Sequence, residues 1–178
     1  MIRTLWNALI CIAITLPLTA CGVAQKVSDA TSSTMSALFD TPITRLSLDF
    51  NGRGALNTDA RDMTALSVPT VLRVYQVSDR RSIELGTYER LLNDDESLLG
   101  AELLDRQAVL LKPGEGAQLN VPLKPETRFV TVVALLRTPD TQANTWRITL
   151  TRDELDADRP RIIDLSDDRL RLRPRPEA

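Results

Sequence analysis

The sequence predicts a mainly β protein, an antiparallel sandwich of about eight strands with a short added helix or two. Three observations predict it. Apolar residues recur with a period of two along short stretches, the pattern of a strand that buries one face. Turn-forming pairs such as Asn51-Gly52 and Pro113-Gly114 separate the stretches. Only one stretch carries helical spacing, and no repeat of solenoid length is present.

In the first strand, Leu46, Leu48 and Phe50 alternate with Arg45, Ser47 and Asp49. The second is the β-branched run Pro69 to Val77. The third runs from Leu104 to Leu111 and closes at Pro113-Gly114, which suits the central positions of a type II turn. The fourth, Gln118 to Leu123, is short. The fifth, Thr127 to Leu136, is the most apolar and belongs at the centre of a sheet. The sixth, Thr145 to Leu150, sets Trp146, Ile148 and Leu150 on one face. Arg161 to Leu165 and Asp168 to Leu172 complete the set. Between strands two and three, Ser82 to Leu92 has helical spacing, with Ser82 as N-cap and Gly86 as a weak point. A polar break follows at Asn93-Asp94-Asp95-Glu96.

Ahead of the strands lies an address. Arg3 precedes an apolar run from Leu5 to Leu18, roughly 14 residues, where a bilayer-spanning helix needs about 20. It has the length of the apolar part of a secretory leader. The run ends Leu18-Thr19-Ala20-Cys21, which resembles the bacterial lipobox. In leaders of that kind the Cys thiol is acylated, the chain is cut just before it, and the new amine is acylated too. Small residues at 19 and 20 admit a peptidase, and a thiolate is the best available nucleophile. Several acyl chains, at about 0.8 kcal/mol per buried CH₂, hold far more firmly than one. The plainer alternative is an ordinary signal peptide with a stray Cys. Cys11 would leave with the leader, so Cys21 becomes the single mature Cys, an attachment point rather than half of a disulfide. Gram-negative lipoproteins with Asp after the lipidated Cys tend to stay in the inner membrane. Gly22 therefore points to the outer membrane, facing the periplasm. The expected organisation is a leader over 1–20, a lipidated N-terminus and flexible tether over 21–41, a sandwich over 42–173 and a tail over 174–178.

Composition excludes most chemistry. The 178 residues carry 22 Lys and Arg against 24 Asp and Glu, a net charge of −2 that argues against nucleic-acid binding. There is no histidine, which removes His bases, His metal ligands and the usual nucleophile arrangements. Adjacent Asp94, Asp95 and Glu96 read as a solvated loop, since a catalytic carboxylate pair must converge from separate elements. Asp153, Glu154, Asp156 and Asp158 lack the Gly and bidentate Glu of a calcium loop and read as a surface cluster. No catalytic residue, metal ligand or cofactor is expected beyond the covalent lipid on Cys21. In the tail, arginines from Arg169 to Arg173 alternate with Leu170 and Leu172. This is an edge strand guarded by charge, or a set of arginines touching lipid headgroups or a partner.

One connection stands out. Gly54 to Pro69 is long for a sandwich, and long ordered loops are often functional. It mixes Leu56, Met63 and Leu66 with Asn57, Asp59, Arg61 and Asp62, as in an interface with apolar anchors inside a polar rim. A merely long loop is the bland alternative. The candidate contacts are Leu56, Asn57, Asp59, Arg61, Asp62 and Met63.

Several features in order resemble the TssJ family, outer-membrane lipoproteins of the bacterial type VI secretion apparatus. They are the lipobox, Leu56-Asn57-Thr58-Asp59, the strand from Pro69 with Arg73, Tyr75 and Gln76, and the helix with Tyr88 and Leu91. Leu99-Gly100, Pro113-Gly114 and the apolar strand ending at Arg137 before Trp146-Arg147 follow. Together they cover most of residues 43–150. The resemblance implies a transthyretin-like sandwich with added helical segments and no catalysis. It also implies a partner, the periplasmic C-terminal part of the inner-membrane protein TssM, met through the loop between the first two strands. Arg61 to Leu66 departs from the family there, so only Asn57 and Asp59 carry over as contacts. The resemblance implies several copies in a larger membrane complex. The alternatives are a transthyretin-like periplasmic ligand-binding lipoprotein, marked by an apolar pocket, and a carboxylate hydrolase, marked by two facing buried carboxylates.

Overall fold

A computed structural model describes residues 42–58 and 66–175. The leader, Cys21, Gly22, the tether, Asp59, Arg61, Asp62 and Met63 lie outside the described residues. Eight strands form two four-stranded sheets: β1 (Arg45–Gly52), β2 (Thr70–Val77), β3 (Leu103–Leu111), β4 (Gly116–Pro122), β5 (Phe129–Leu135), β6 (Arg147–Thr151), β7 (Arg161–Ser166) and β8 (Arg169–Leu172). The orders are β4-β1-β7-β8 and β3-β2-β5-β6. The expected eight-stranded sandwich is present. β5 is interior to its sheet and buried along most of its length, as its apolar run demands.

One pairing departs from the antiparallel expectation. β1 runs parallel to β7, with Leu48 opposite Arg161 and Phe50 opposite Ile163. A parallel pair needs a long connection between its strands. Here that connection is most of the domain, a separation that no local pattern reveals.

The alternation of β1 decides which way its sheet faces. Leu46, Leu48 and Phe50 are buried, opposite Val121, Leu119 and Ala117 of β4. The polar positions hydrogen-bond along the outer face: Arg45 Nε donates to Asn120 Oδ1 at 2.7 Å and Asn51 Nδ2 to Asp164 Oδ1 at 3.2 Å. A slip of one residue would put the apolar set in water. β8 is the edge strand expected of the tail, with Leu170 buried and Arg169, Arg171 and Arg173 exposed.

The second sheet is covered on its outer side by three short helices, α1 (Arg81–Leu85), α2 (Tyr88–Asn93) and α3 (Asp95–Leu99). Where one helix was expected from Ser82 to Leu92, there are two. Gly86 breaks the run in an extended conformation, and a Cβ there would lie 2.6 Å from Leu98 Cδ2. Thr87 restarts it, its Oγ1 accepting from Arg90 N–H at 3.3 Å. Ser82 is not the N-cap; its N–H donates to Glu102 Oε2 at 3.2 Å.

The expected polar break falls at Asp94, between α2 and α3, but Asp95 and Glu96 open α3 instead of forming a solvated loop, and Asp95 is only 6% exposed. It meets three groups projecting from the sheet. Tyr75 OH donates to it at 2.7 Å, Arg106 Nη1 at 2.8 Å and Arg73 Nη1 at 3.2 Å. Burial alone would raise its pKa, but the hydrogen bonds from Tyr75 and Arg106 and the two positive charges hold it below the usual range. Asp95 thereby pins the helical layer to β2 and β3.

Candidate functional site

The site is the end of the sandwich where β1 and β5 finish and where the β1–β2 loop leaves. Its base is built from short-range necessities. At Gly52 a Cβ would lie 2.7 Å from the Lys112 carbonyl, so glycine lets β1 pass the β3–β4 turn. In that turn Gly114 takes φ 74, and Glu115 N–H closes onto the Lys112 carbonyl at 3.1 Å. This agrees with the type II geometry expected of Pro113-Gly114.

The loop is drawn shut at its neck. Ser67 Oγ donates to the Gly54 carbonyl at 2.7 Å and accepts from Leu56 N–H at 3.3 Å. Val68 N–H donates to the Leu56 carbonyl at 3.1 Å. Leu56 is fully buried in the core. Its side chain therefore secures the loop to the domain instead of standing out as a surface anchor.

Asn57 joins the neck to its neighbours. It takes φ 50, a conformation that Asn tolerates better than most residues, and is 4% exposed. Its Oδ1 accepts from Arg137 N–H at 2.7 Å, and Thr138 Oγ1 donates to the Thr58 carbonyl at 3.2 Å. From the β7–β8 turn, the Asp168 carboxylate faces the backbone N–H groups of Asn57 and Thr58, which favour its charged form. Burial raises the Asp168 pKa, opposed by those two N–H groups. Asp167 and Asp168, both at positive φ, form the tight β7–β8 turn between paired Ser166 and Arg169. Three connections thus converge on Asn57-Thr58.

The described residues on either side of 59–65 are Thr58 and Leu66, the latter 60% exposed. Asp59, Arg61, Asp62 and Met63 fall in that segment, outside the described residues, so of the six candidate contacts the structure places Leu56 and Asn57.

Beside the loop, Tyr88 OH donates to the Leu136 carbonyl at 2.6 Å, and its ring meets Trp146 edge-on at 5.2 Å. Arg147 lies over Trp146 at 4.9 Å and donates to the carbonyls of Glu84 and Gly86 at 3.0 and 3.3 Å. These contacts tie the β5–β6 connection to the helical layer. The acidic cluster at 153–158 is used locally: Glu154 caps Thr151, and Asp156 Oδ1 accepts from the N–H groups of Asp158 and Arg159. Among the described residues no three acidic or thiol groups converge to hold a metal.

The sequence anticipated the loop but missed the Asp168 contact and the Asp95 cluster. A signal for the second was present, since Arg73 and Tyr75 interrupt an otherwise apolar strand at alternate positions.

Residues 44–172 match the family described as type VI secretion lipoprotein, with VasD, EvfM and TssJ among its names. A comparison with curated proteins gives no match. Among solved structures, the chain is similar to one described as "Type VI membrane complex", at 36% identity and TM-score 0.70, over 75% of this chain and 100% of that one. It is 35% identical, with TM-score 0.65, to a chain in the structure "T6SS protein TssM C-terminal domain" from EAEC, over 74% of this chain and 99% of that one. It is 25% identical, with TM-score 0.65, to Serratia marcescens Lip, described as a membrane-bound component of the type VI secretion system, over 74% of this chain and 98% of that one. The solved chains thus have little beyond the sandwich.

Proposed function

The chain belongs to the type VI secretion lipoprotein family, TssJ among its names, a structural and non-catalytic family, and from that premise we propose how this member works. Acyl chains on Cys21 hold it in the outer membrane, Gly22 lets it be sorted there, and residues 22–41 tether the sandwich in the periplasm. The β1–β2 loop binds the periplasmic C-terminal domain of TssM, and the chain is present in several copies in a larger membrane complex. A neighbouring structure whose description names the TssM C-terminal domain supports this choice of partner.

The observation that carries the reading is the closed neck. Because Ser67, Asn57 and Asp168 fix both ends of the segment, ordering residues 59–65 on a partner costs less than ordering a free peptide. Asp59, Arg61, Asp62 and Met63 are the contacts, and Leu56 and Asn57 hold the frame.

The test replaces residues 59–65 by a short Gly-Ser bridge and leaves Leu56 to Thr58 and Leu66 to Val68 intact. Calorimetric titration with the TssM periplasmic fragment should show affinity falling at least about tenfold, roughly 1.4 kcal/mol, with thermal unfolding unchanged. Equal binding by a domain that melts like the parent would place the interface elsewhere. The anchor has its own test. The wild type should take up labelled palmitate and fractionate with outer membrane, and Cys21→Ser should do neither.

A further inference from the structure

At the end of the sandwich opposite the loop, a cleft of about 560 Å³ opens between the β6–β7 connection and the chain beyond β8. Arg159, Arg161, Arg173 and Arg175 line it. Arg161 is 8% exposed; its Nε–H has no hydrogen-bond partner, and its Nη2 reaches the Arg173 carbonyl at 3.3 Å. Arg175 donates to the carbonyls of Asp153 and Leu155 at 2.9 and 3.0 Å, which fix the guanidinium without cancelling its charge. Arg159 makes no ion pair among the described residues, whereas Arg173 is paired with Asp164 at 2.7 Å. Asp156 and Asp158 also line the cleft. Four guanidiniums against Asp156, Asp158 and Asp164 leave one positive charge in excess (4 − 3 = 1), together with a buried donor that lacks an acceptor.

The cleft lies where the chain enters the domain. Arg152, which opens the β6–β7 connection, donates from Nη2 to the Ile43 carbonyl at 2.8 Å.

We propose that this cleft takes the phosphate of an anionic phospholipid headgroup. A phosphate oxygen supplies the acceptor that Arg161 Nε lacks, and guanidinium forks suit phosphate geometry. Ile162, Pro160 and Pro174 give the cleft an apolar side for the glycerol carbons. The proposal rests on the anchoring reading, because a tether from Cys21 keeps the headgroup concentration high enough for a weak contact to be occupied. Docked this way, the entry end rests on the leaflet and the loop points away from it.

The test uses the unlipidated domain from Pro42 on, a compact unit by itself. Co-sedimentation with vesicles of phosphatidylglycerol in phosphatidylethanolamine is compared with wholly zwitterionic vesicles. Anionic vesicles should bind at least about fivefold better, as expected for a single basic contact near a charged surface. Arg161→Gln and the exposed Arg159→Gln should each remove that preference. Arg159→Gln should melt like the parent, which separates a lost contact from a lost fold. Equal binding to both vesicles, or a preference untouched in both variants, would overturn the proposal. So would a shift of the Arg161 Nε–H resonance by inorganic phosphate without vesicle preference, which would mark a site for free anions. Loss of TssM-fragment binding in Arg159→Gln with vesicle binding intact would reassign the cleft to protein. Since the assay uses no acyl chain and no loop variant, its failure leaves the palmitate and loop results standing.

Discussion

At the scale of single residues, Asp168 shows how a turn and a loop share one side chain. Its carboxylate faces the N–H groups at the neck of the β1–β2 loop, yet Oδ1 is buried without a partner and the residue sits at φ 58. Asp168→Asn keeps one acceptor oxygen, removes a charge that burial disfavours and suits the left-handed backbone better. We expect it to stabilise the domain at pH 7 by about 0.5–1 kcal/mol, by urea unfolding. The folded pKa of Asp168 is raised, so its charge costs stability as pH rises through that value. The advantage of Asn should therefore shrink as pH falls through the carboxylate range. An equal gain at pH 3 and pH 7 would show that backbone geometry alone is responsible. Nothing local in the chain marks this contact, because Asn57 and Asp168 are far apart in sequence and are brought together by the β1–β7 pairing.

At the scale of elements, the helical layer hangs on Asp95. A buried carboxylate with three donors is strongly destabilising to remove: the buried Tyr75 hydroxyl loses its acceptor, and Arg73 and Arg106 keep only the Leu91 and Leu92 carbonyls and Glu96. Asp95→Ala should cost about 2–3 kcal/mol at pH 7. Emission from Trp146, the single Trp of the domain, should change as its contact with Tyr88 loosens. Because the folded pKa of Asp95 is lowered, its contribution is present above the unfolded value near 3.8 and is lost as pH falls through the folded one. Acid unfolding of the wild type should therefore converge on that of the variant at low pH. Unfolding curves that stay parallel would remove Asp95 from its role. The strands were legible because period-two patterning is local and each has a buried face. The helices were legible only in part. Gly86 could be seen as a weak point, but the packing of Leu98 that makes it a break could not. Three adjacent acids looked solvated because nothing in their own segment shows the two arginines and the tyrosine waiting on the sheet.

At the scale of the whole molecule, the two ends of the sandwich are built differently. The chain enters at one end, where Arg152 holds Ile43, and the loop leaves from the other, where Asn57-Thr58 meets the β5–β6 and β7–β8 connections. The loop's length and mixture of residues were readable in the sequence, while the frame that holds its neck needed the fold. One consequence lies in β1. This single strand runs from the entry end to the loop, bonded to β4 on one side and β7 on the other. If the tether is pulled from the membrane while a partner holds the loop, tension travels along covalent backbone from Pro42 to Thr58. The flanking strands resist only as rows of hydrogen bonds loaded in shear, and no hairpin is peeled open. In mechanical terms the sandwich is a sleeve around a cord, and pulling on both ends of the cord loads the sleeve in shear.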